Sequence, residues 1–290
     1  MMLLRRFEIH QPATVAEAVQ MRTHFGEDAS IYAGGTELLL AMKHDVLRYK
    51  HLIDVKVIPS FDSVELNDGT IRIGATATHR SLERSPLLKS HLPVFVEMEK
   101  LVANTRVRNT GTIGGNLCFA EPHSDPATLL LALEASVVAE GPQGRREIPL
   151  EDFFGGAYET CLRRDEVLTA VHVPVGKPQQ RMAYLKFQVH ERPMLGLALV
   201  LETPDERESF TRARVAVGCV SPCARRSAEA EGLLTGSRSA VEGNLLRAAD
   251  ALADAADLAD DQEGSAEYKR NLIYVFLGRA FRKALEEESS

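Results

Sequence analysis

Hydrophobic positions in the first half of the chain follow two different spacings, which predicts interleaved helices and strands. Residues 14–26 repeat at helical spacing, and Thr14 with Glu17 three positions later forms a capping box. A strand over 51–58 and a hairpin around the Asn-Asp-Gly turn at 67–69 follow, because apolar and polar residues alternate there. This order of elements predicts α/β architecture for the N-terminal part.

The middle of the chain combines prolines and glycines with apolar runs. The pattern predicts one or two helices over 82–102, broken at Pro86 and Pro93, and then a glycine-rich loop. A further helix is predicted to begin near Asp125, with Asp125 as its N-cap and Pro126 at the first helical position.

The second half of the chain changes from mixed elements to strands followed by helices. A stretch rich in Pro, Gly and Gln, 174–182, is the best candidate for a linker. Three strands at hairpin spacing and three helical runs come after it. This order predicts a small α+β domain.

Composition and charge narrow the classes of function. The 290 residues carry a formal net charge of −7, which argues against nucleic acid as the main partner. No apolar run approaches the roughly 20 residues of a membrane helix, and the N-terminus shows no secretory signal. Four cysteines lie scattered, and Cys219 with Cys223 forms an incomplete metal pattern, so we expect a reduced, cytoplasmic protein without its own metal site.

Two glycine pairs are the most distinctive local features. Gly34 and Gly35 follow a short predicted strand and precede a helix predicted over 36–47, whereas Gly114 and Gly115 fall inside the predicted loop. Neither pair has the order of a Rossmann fingerprint or a P-loop. Bare backbone N–H groups suit a phosphate, but each pair fits a structural turn equally well. Small polar residues beside both pairs favour a ligand with a pyrophosphate and hydroxyl groups.

Both glycine segments, with their surroundings, resemble one family. The motifs are "AGGTEL" at 33–38, "TIGGN" at 112–116 and "SDPATLLLALEA" at 124–135, followed by "VAVGCVSPCARRSAEAEGLLTG" and "AEYKRNLIYVFLGRAF" near the C-terminus. In this order they resemble the FAD-binding medium subunit of the molybdenum hydroxylases, the family of xanthine dehydrogenase and aerobic carbon monoxide dehydrogenase. The resemblance covers nearly the whole chain.

The resemblance implies a fold and a division into domains. An FAD-binding domain of the vanillyl-alcohol oxidase type would span 1–175, with subdomains of about 1–55 and 56–175. A flavoprotein C-terminal domain would span 180–290, as a three-stranded antiparallel sheet with a helical bundle. The fold class expected is therefore α+β, and the strands and helices predicted after the linker agree with it.

The resemblance also implies the residues that bind FAD. The first loop would cradle the pyrophosphate, the second would form the opposite wall, Asp125 would accept hydrogen bonds from FAD hydroxyls, and Leu168 and Lys186 would lie near the flavin. The residues so implied are Ile31, Tyr32, Ala33, Gly34, Gly35, Thr36, Glu37, Leu38, Thr112, Gly114, Gly115, Asn116, Ser124, Asp125, Leu168 and Lys186. No catalytic residue and no metal ligand is expected in this chain.

Several of these residues have an ordinary structural alternative. Asp125 could only cap its helix, Lys186 could be a solvated strand lysine, and Leu168 could be a core residue. His123 beside the second loop fits a surface histidine. The chain also lacks the arginine-rich run that many relatives carry after the lysine, and has His190 and Met194 in that stretch.

The function implied is electron transfer. A large molybdopterin subunit would oxidise the substrate, a small subunit with [2Fe–2S] clusters would pass the electrons to this FAD, and NAD+, oxygen or a quinone would accept them. The family suggests a heterotrimer that dimerises. A standalone FAD-dependent oxidoreductase and a non-catalytic nucleotide-binding module are the alternatives.

Overall fold

The computed structural model describes residues 4–189, 192–205 and 207–286. The chain forms two compact units, neither of which is continuous in sequence. Unit 1 comprises residues 1–88, 103–120 and 135–174. Unit 2 comprises 89–102, 121–134 and 175–290. Among the described residues, none of the helices is both long enough and apolar enough to cross a membrane.

Strands and helices are numbered in chain order. The strands are β1 (Glu8–His10), β2 (Ala29–Tyr32), β3 (His51–Asp54), β4 (Val64–Asn67), β5 (Thr70–Gly74), β6 (Ser136–Gly141), β7 (Gly144–Pro149), β8 (Phe154–Gly156), β9 (Glu159–Thr160), β10 (Val167–Pro174), β11 (Gln180–Gln188), β12 (Pro193–Glu202), β13 (Ser209–Phe210), β14 (Arg212–Gly218), β15 (Arg225–Arg226) and β16 (Gly236–Ser237). The α-helices are α1 (Val15–Phe25), α2 (Leu38–Lys43), α3 (His79–Glu83), α4 (Pro86–His91), α5 (Pro93–Leu101), α6 (Thr105–Thr110), α7 (Ile113–Phe119), α8 (Asp125–Ala132), α9 (Ala228–Leu233), α10 (Arg238–Ala256) and α11 (Ala266–Leu285).

Unit 1 begins with a parallel sheet of order β1-β3-β2, covered by α1. The predicted capping box is present in a shifted form: Thr14 Oγ1 accepts from the Glu17 N–H at 3.2 Å, while the Glu17 carboxylate accepts from the N–H of Ala13, one residue before the N-cap, at 2.7 Å. The strand predicted over 51–58 is wrong in its second half, because the chain turns into a 3₁₀ helix once Asp54 caps the N–H of Lys56.

An antiparallel sheet of order β4-β5-β10-β6-β7 completes the main β structure of unit 1. The predicted hairpin joins β4 to β5, and both turn residues, Asp68 and Gly69, have positive φ as a type I′ turn requires. β10 lies in the middle of this sheet, which explains its nearly continuous burial.

Three helices, α3, α4 and α5, occupy the stretch where one or two were predicted. Pro86 and Pro93 each begin a helix rather than break one, because a proline at the first helical position loses no hydrogen bond. The glycine-rich loop predicted next is also wrong. It folds into α6 and α7, whose N-termini are capped by the side chains of Asn104 and Thr112.

Unit 2 is built on an antiparallel sheet of order β11-β12-β14-β15. It has the three long strands expected, plus a two-residue edge strand. Alternate residues of β12, such as Leu197 and Leu199, pack with α10 and α11 in one apolar core. The three C-terminal helices therefore cover one face of the sheet, in agreement with the predicted order of strands and then helices.

The opposite face of this sheet is covered by α5 and α8, which come from much earlier in the chain. All eight residues of α8 are buried. Gly196 and Gly218 are paired in the sheet, and a Cβ at Gly218 would overlap Oγ1 of Thr128 in α8. The sheet of unit 2 is thus buried on both faces, which the sequence did not predict.

Candidate functional site

The first glycine pair lies in the turn between β2 and α2, inside unit 1. Gly35 has φ +71°, a conformation that suits glycine, and a Cβ there would lie 2.5 Å from the Tyr32 ring. A Cβ at Gly34 would overlap the carbonyl oxygen of Thr110, so this glycine lets two chain segments approach closely. The absence of both side chains is therefore required by the fold of the turn itself.

The turn exposes a row of backbone donors. The N–H groups of residues 34–38 donate to no acceptor within the described part of the chain, whereas the next helical bonds, Leu39 N–H to Gly35 O and Ala41 N–H to Glu37 O, are formed. Glu37 caps α2 without a side-chain hydrogen bond. Successive N–H groups of this kind form an anion-binding surface, because each carries a partial positive charge. Of these five residues only Gly34 is buried, so the row is accessible from solvent and can accept an anion.

Lys56 adds a cation beside the same turn. Its ammonium donates to Ala33 O at 3.0 Å, pairs with Asp54 at 2.6 Å, and lies 4.0 Å from the centre of the Tyr32 ring. Burial, and then the charge of Asp54, raises the pKa of Tyr32. Sequence reasoning missed Lys56, although a signal was available: it follows the end of β3, and parallel β2 and β3 end at the same edge of the sheet.

The second glycine pair differs from the first, because its backbone donors are used within the protein. Gly114 and Gly115 lie in the first turn of α7 rather than in an extended loop. The Gly114 N–H donates to Ala75 O at 2.9 Å, and the Gly115 N–H donates to Thr112 Oγ1 at 3.1 Å. A Cβ at Gly114 would lie 2.6 Å from Ala75 O. This pair therefore has a structural role: Gly115 takes part in the N-terminal cap of α7, and Gly114 allows close packing against Ala75, the residue that follows β5.

Asp125 belongs to unit 2, where it forms a buried cluster with two residues of β11. Its carboxylate accepts from the Tyr184 hydroxyl at 2.6 Å and pairs with the Lys186 ammonium at 2.8 Å. Lys186 also donates to Leu101 O at 2.7 Å. The side chain of Lys186 is 6% exposed and that of Asp125 4%, so the alternative of a solvated lysine is wrong.

The helix cap beside this cluster also differs from the prediction. Ser124, not Asp125, is the N-cap of α8, and its hydroxyl accepts from the Ala127 N–H. Asp125 is the first helical residue, where a carboxylate interacts favourably with the helix dipole. The capping alternative for Asp125 is therefore wrong, and its carboxylate is directed to β11 instead.

The cluster changes the acidity of its neighbours. Burial, and then the charge of Asp125, raises the pKa of Tyr184 well above its ordinary value, so the phenol stays protonated. The same two causes, in the same order, raise the pKa of the buried Cys219 thiol.

The remaining candidates lie in different settings. Leu168 is 5% exposed in β10, next to a register irregularity in its pairing with β6. His123 is mostly buried, and its hydrogen bond to Glu121 at 2.8 Å raises its pKa, so it is not a free surface histidine. His190, singled out in the sequence, lies outside the described residues.

The candidate residues are divided between the two units. Unit 1 contains Ile31, Tyr32, Ala33, Gly34, Gly35, Thr36, Glu37, Leu38, Thr112, Gly114, Gly115, Asn116 and Leu168. Unit 2 contains Ser124, Asp125 and Lys186. The structure thus brings the two glycine pairs into one unit, and Asp125 together with Lys186 into the other.

Two family models together match nearly the whole chain. The FAD-binding domain of molybdopterin dehydrogenases matches residues 5–176, and the C-terminal domain of the carbon monoxide dehydrogenase flavoprotein matches residues 184–284. The chain therefore belongs to the FAD-binding medium subunits of the molybdenum hydroxylases, a family of oxidoreductase subunits with an α+β fold. The expected family, fold class and cofactor are confirmed.

Individual relatives agree with this assignment. The chain is similar to the carbon monoxide dehydrogenase medium chain of Hydrogenophaga pseudoflava, with 35% identity over 98% of both chains. The solved structure of that organism's carbon monoxide dehydrogenase superimposes with a TM-score of 0.91, covering 98% of each chain. Quinoline 2-oxidoreductase from Pseudomonas putida 86 gives a TM-score of 0.90 at 25% identity, covering 98% of each chain.

Proposed function

We propose that this chain transfers electrons through FAD within a molybdenum hydroxylase of several subunits. A large molybdopterin subunit oxidises the substrate, and a small [2Fe–2S] subunit delivers the electrons. NAD+, oxygen or a quinone accepts them, and the heterotrimer dimerises in the cytoplasm. Support comes from relatives named as medium chains and as subunits of dehydrogenase complexes, matched over more than nine-tenths of this chain.

The observation that carries the proposal is the row of backbone donors at residues 34–38. Their N–H groups lack acceptors within the described residues, follow a strand and lead into a helix. A pyrophosphate supplies negatively charged oxygens to such a row, and hydrogen bonds to charged groups are among the stronger ones. The residues present therefore fit the FAD that the family binds.

Within this site each group has a separate role. Residues 31–38 hold the pyrophosphate, with Lys56 as a nearby cation. Thr112, Gly114, Gly115 and Asn116 supply the second wall. Asn116 belongs to this wall through its polar side chain, whereas Gly114 and Gly115 contribute bare backbone surface, since their N–H groups are already used.

The residues proposed for FAD in unit 2, and Leu168 in unit 1, each have a role of their own. Asp125 accepts hydrogen bonds from FAD hydroxyls, with its carboxylate held by the Tyr184 hydroxyl and the Lys186 ammonium. Ser124 lies beside it, Lys186 orients the carboxylate, and Leu168 gives an apolar contact to the flavin. Bound FAD accepts electrons singly and releases them in pairs, and the protein positions and tunes it. Domain limits of 1–175 and 180–290 belong to the same proposal.

One pair of variants at Glu37 tests the pyrophosphate site. Glu37 is exposed and its φ of −94° lies near the range of proline, which is tolerated at a helix start. Glu37→Pro removes one N–H of the row, whereas Glu37→Ala removes the same side chain and keeps the N–H. We expect Glu37→Pro to weaken FAD binding about tenfold or more, as the loss of one charged hydrogen bond predicts. Equal FAD affinities of the two variants would contradict the proposed site, with the melting temperature reporting on folding.

Purification from the native host tests the role in a complex. We expect a tagged chain to recover a molybdopterin subunit and an iron–sulfur subunit, and the isolated chain to turn over no substrate of its own. Recovery of a yellow monomer that oxidises a substrate unaided would favour a standalone flavoenzyme. A colourless chain that takes up no added FAD would favour a non-catalytic module.

A further inference from the structure

Three side chains that can bind a metal ion meet where the edge strand β1 pairs with the central strand β3 of the parallel sheet in unit 1. β1 is the edge strand and pairs with β3 so that Glu8 lies opposite His51. Glu8 and His10 are two positions apart on β1, so their side chains lie on the same face. Two imidazoles and one carboxylate therefore converge from two strands, and none of the three belongs to the residues proposed for FAD.

The separations of their ligand atoms match a tetrahedral metal centre. His10 Nε2 lies 3.0 Å from His51 Nδ1, and Glu8 Oε2 lies 3.6 Å from His51 Nδ1 and 3.9 Å from His10 Nε2. Zinc ligands at about 2.0–2.1 Å from the ion are about 3.3 Å apart in a tetrahedron. Small side-chain rotations are enough to reach that geometry.

The aromatic ring of Phe25 holds both imidazoles in place. It stacks on His10 with ring centres 4.7 Å apart and on His51 with ring centres 4.0 Å apart. Both histidine side chains are about four-fifths buried, at 23% and 21% exposure, whereas Glu8 is 73% exposed. The imidazoles are thus preorganised, and the carboxylate side stays open to an ion arriving from solvent.

We propose that Glu8, His10 and His51 bind one divalent metal ion of the zinc class. Imidazole nitrogens with a single carboxylate favour Zn²⁺ and its neighbours over Mg²⁺ or Ca²⁺, which prefer sets made of oxygen ligands. Three protein ligands leave the fourth position to water. The ion replaces the hydrogen bond between the two rings and links β1 to β3.

Calorimetric titration of the full chain with ZnCl₂ tests the site, after metal stripping and removal of any polyhistidine tag. We expect one Zn²⁺ to bind per chain, and His10→Gln and His51→Gln each to lower the affinity at least tenfold. Glu8→Gln should lower it by a smaller factor, and because Glu8 is exposed this variant tests the site without disturbing the fold. His24→Gln is the matched control, since exposed His24 contacts Phe25 edge-on but belongs to no ligand set.

The outcomes separate this site from other zinc ligands and from the proposed FAD site. An absence of stoichiometric binding would overturn the proposal, and so would equal affinities in the wild type and the Glu8, His10 and His51 variants. FAD content should stay unchanged in all four variants, because none alters the FAD residues. Loss of Zn²⁺ binding with full FAD content would support the metal site independently of the electron-transfer function.

Discussion

Lys186 and Asp125 form an ion pair that is almost completely buried, although 61 residues separate them in sequence. The ammonium and the carboxylate lie 2.8 Å apart. The ammonium also donates to the Leu101 carbonyl, and the carboxylate also accepts from the Tyr184 hydroxyl. The pair joins the first turn of α8 to β11 within unit 2. Forming such a buried pair costs desolvation energy, which offsets much of the attraction between the charges. Removing one partner is nevertheless strongly destabilising, because the other charge is then left buried and unpaired.

Lys186→Met tests this dependence. The change keeps an apolar stem of similar length but removes the cation from a buried carboxylate. We expect the free energy of unfolding to fall by about 3–5 kcal/mol, the range for breaking one side of a buried pair. Urea denaturation of the full chain measures it. Lys177→Met, at an exposed position before β11, should change the stability by less than about 0.5 kcal/mol.

The combined variant Asp125→Asn with Lys186→Met tests whether the two charges act on each other. If they do, the double variant should be more stable than the sum of the two single losses predicts. A double variant whose loss equals that sum would show that the two charges do not stabilise each other.

The raised pKa of Tyr184 predicts that the free energy of unfolding falls at alkaline pH. Its pKa in the folded chain is raised above the ordinary value of 10.0, so the unfolded chain releases this proton first. The stability contributed by the protonated phenol is complete below pH 10 and is lost as the pH rises toward the folded pKa. Above pH 10 the free energy of unfolding should fall by up to about 1.4 kcal/mol per pH unit on account of this group.

The variant Tyr184→Phe should remove this part of the alkaline slope. Urea titrations at a series of pH values above 9 compare it with the wild type and with Tyr274→Phe, a control at an exposed position. An unchanged slope in Tyr184→Phe would show that the buried phenol does not control alkaline unfolding.

Alanine at two glycines should have opposite effects. Gly34→Ala places a Cβ against the Thr110 carbonyl, and we expect a loss of about 1–3 kcal/mol, as for overpacking. Gly243 lies in the exposed interior of α10, with nothing within 4 Å of a Cβ. Gly243→Ala should therefore stabilise the chain by about 0.5–1 kcal/mol. Thermal unfolding compares them, and a stabilising Gly34→Ala would refute the close approach to Thr110.

Local patterns predicted most elements of the fold, and they failed where tertiary contacts decide. The capping box at Thr14 and the turn at 67–69 were correct, because both depend on neighbouring residues only. The helix predicted over 36–47 was too long, since α2 ends at Lys43. α7 was missed because its two glycines lower helix propensity, while hydrogen bonds to the carbonyls of Ala75 and Ala77 support it. α6 was missed because Thr, Val and Asn are weak helix formers.

Sequence motifs located the candidate residues, but they did not predict the hydrogen bonds or the burial of those residues. The two glycine pairs look equivalent in sequence, but only at the first pair do the backbone donors of the described residues stay available. Which carbonyl accepts the N–H of Gly114 depends on the path of residues 75–77, which no local pattern specifies. The burial of Lys186 similarly requires α5 and α8 on β11, β12 and β14, a long-range arrangement.

The path of α8 has a consequence for how the protein is made. The helix is complete at residue 132, but β12, against which it packs, begins only at residue 193. During synthesis the leucines of this helix, which are buried in the folded chain, therefore leave the ribosome long before its partner strands exist. Contacts of such high sequence separation form slowly, and exposed apolar helices aggregate meanwhile. We therefore expect the nascent chain to aggregate most readily during this interval, and a low expression temperature to raise the yield of native protein.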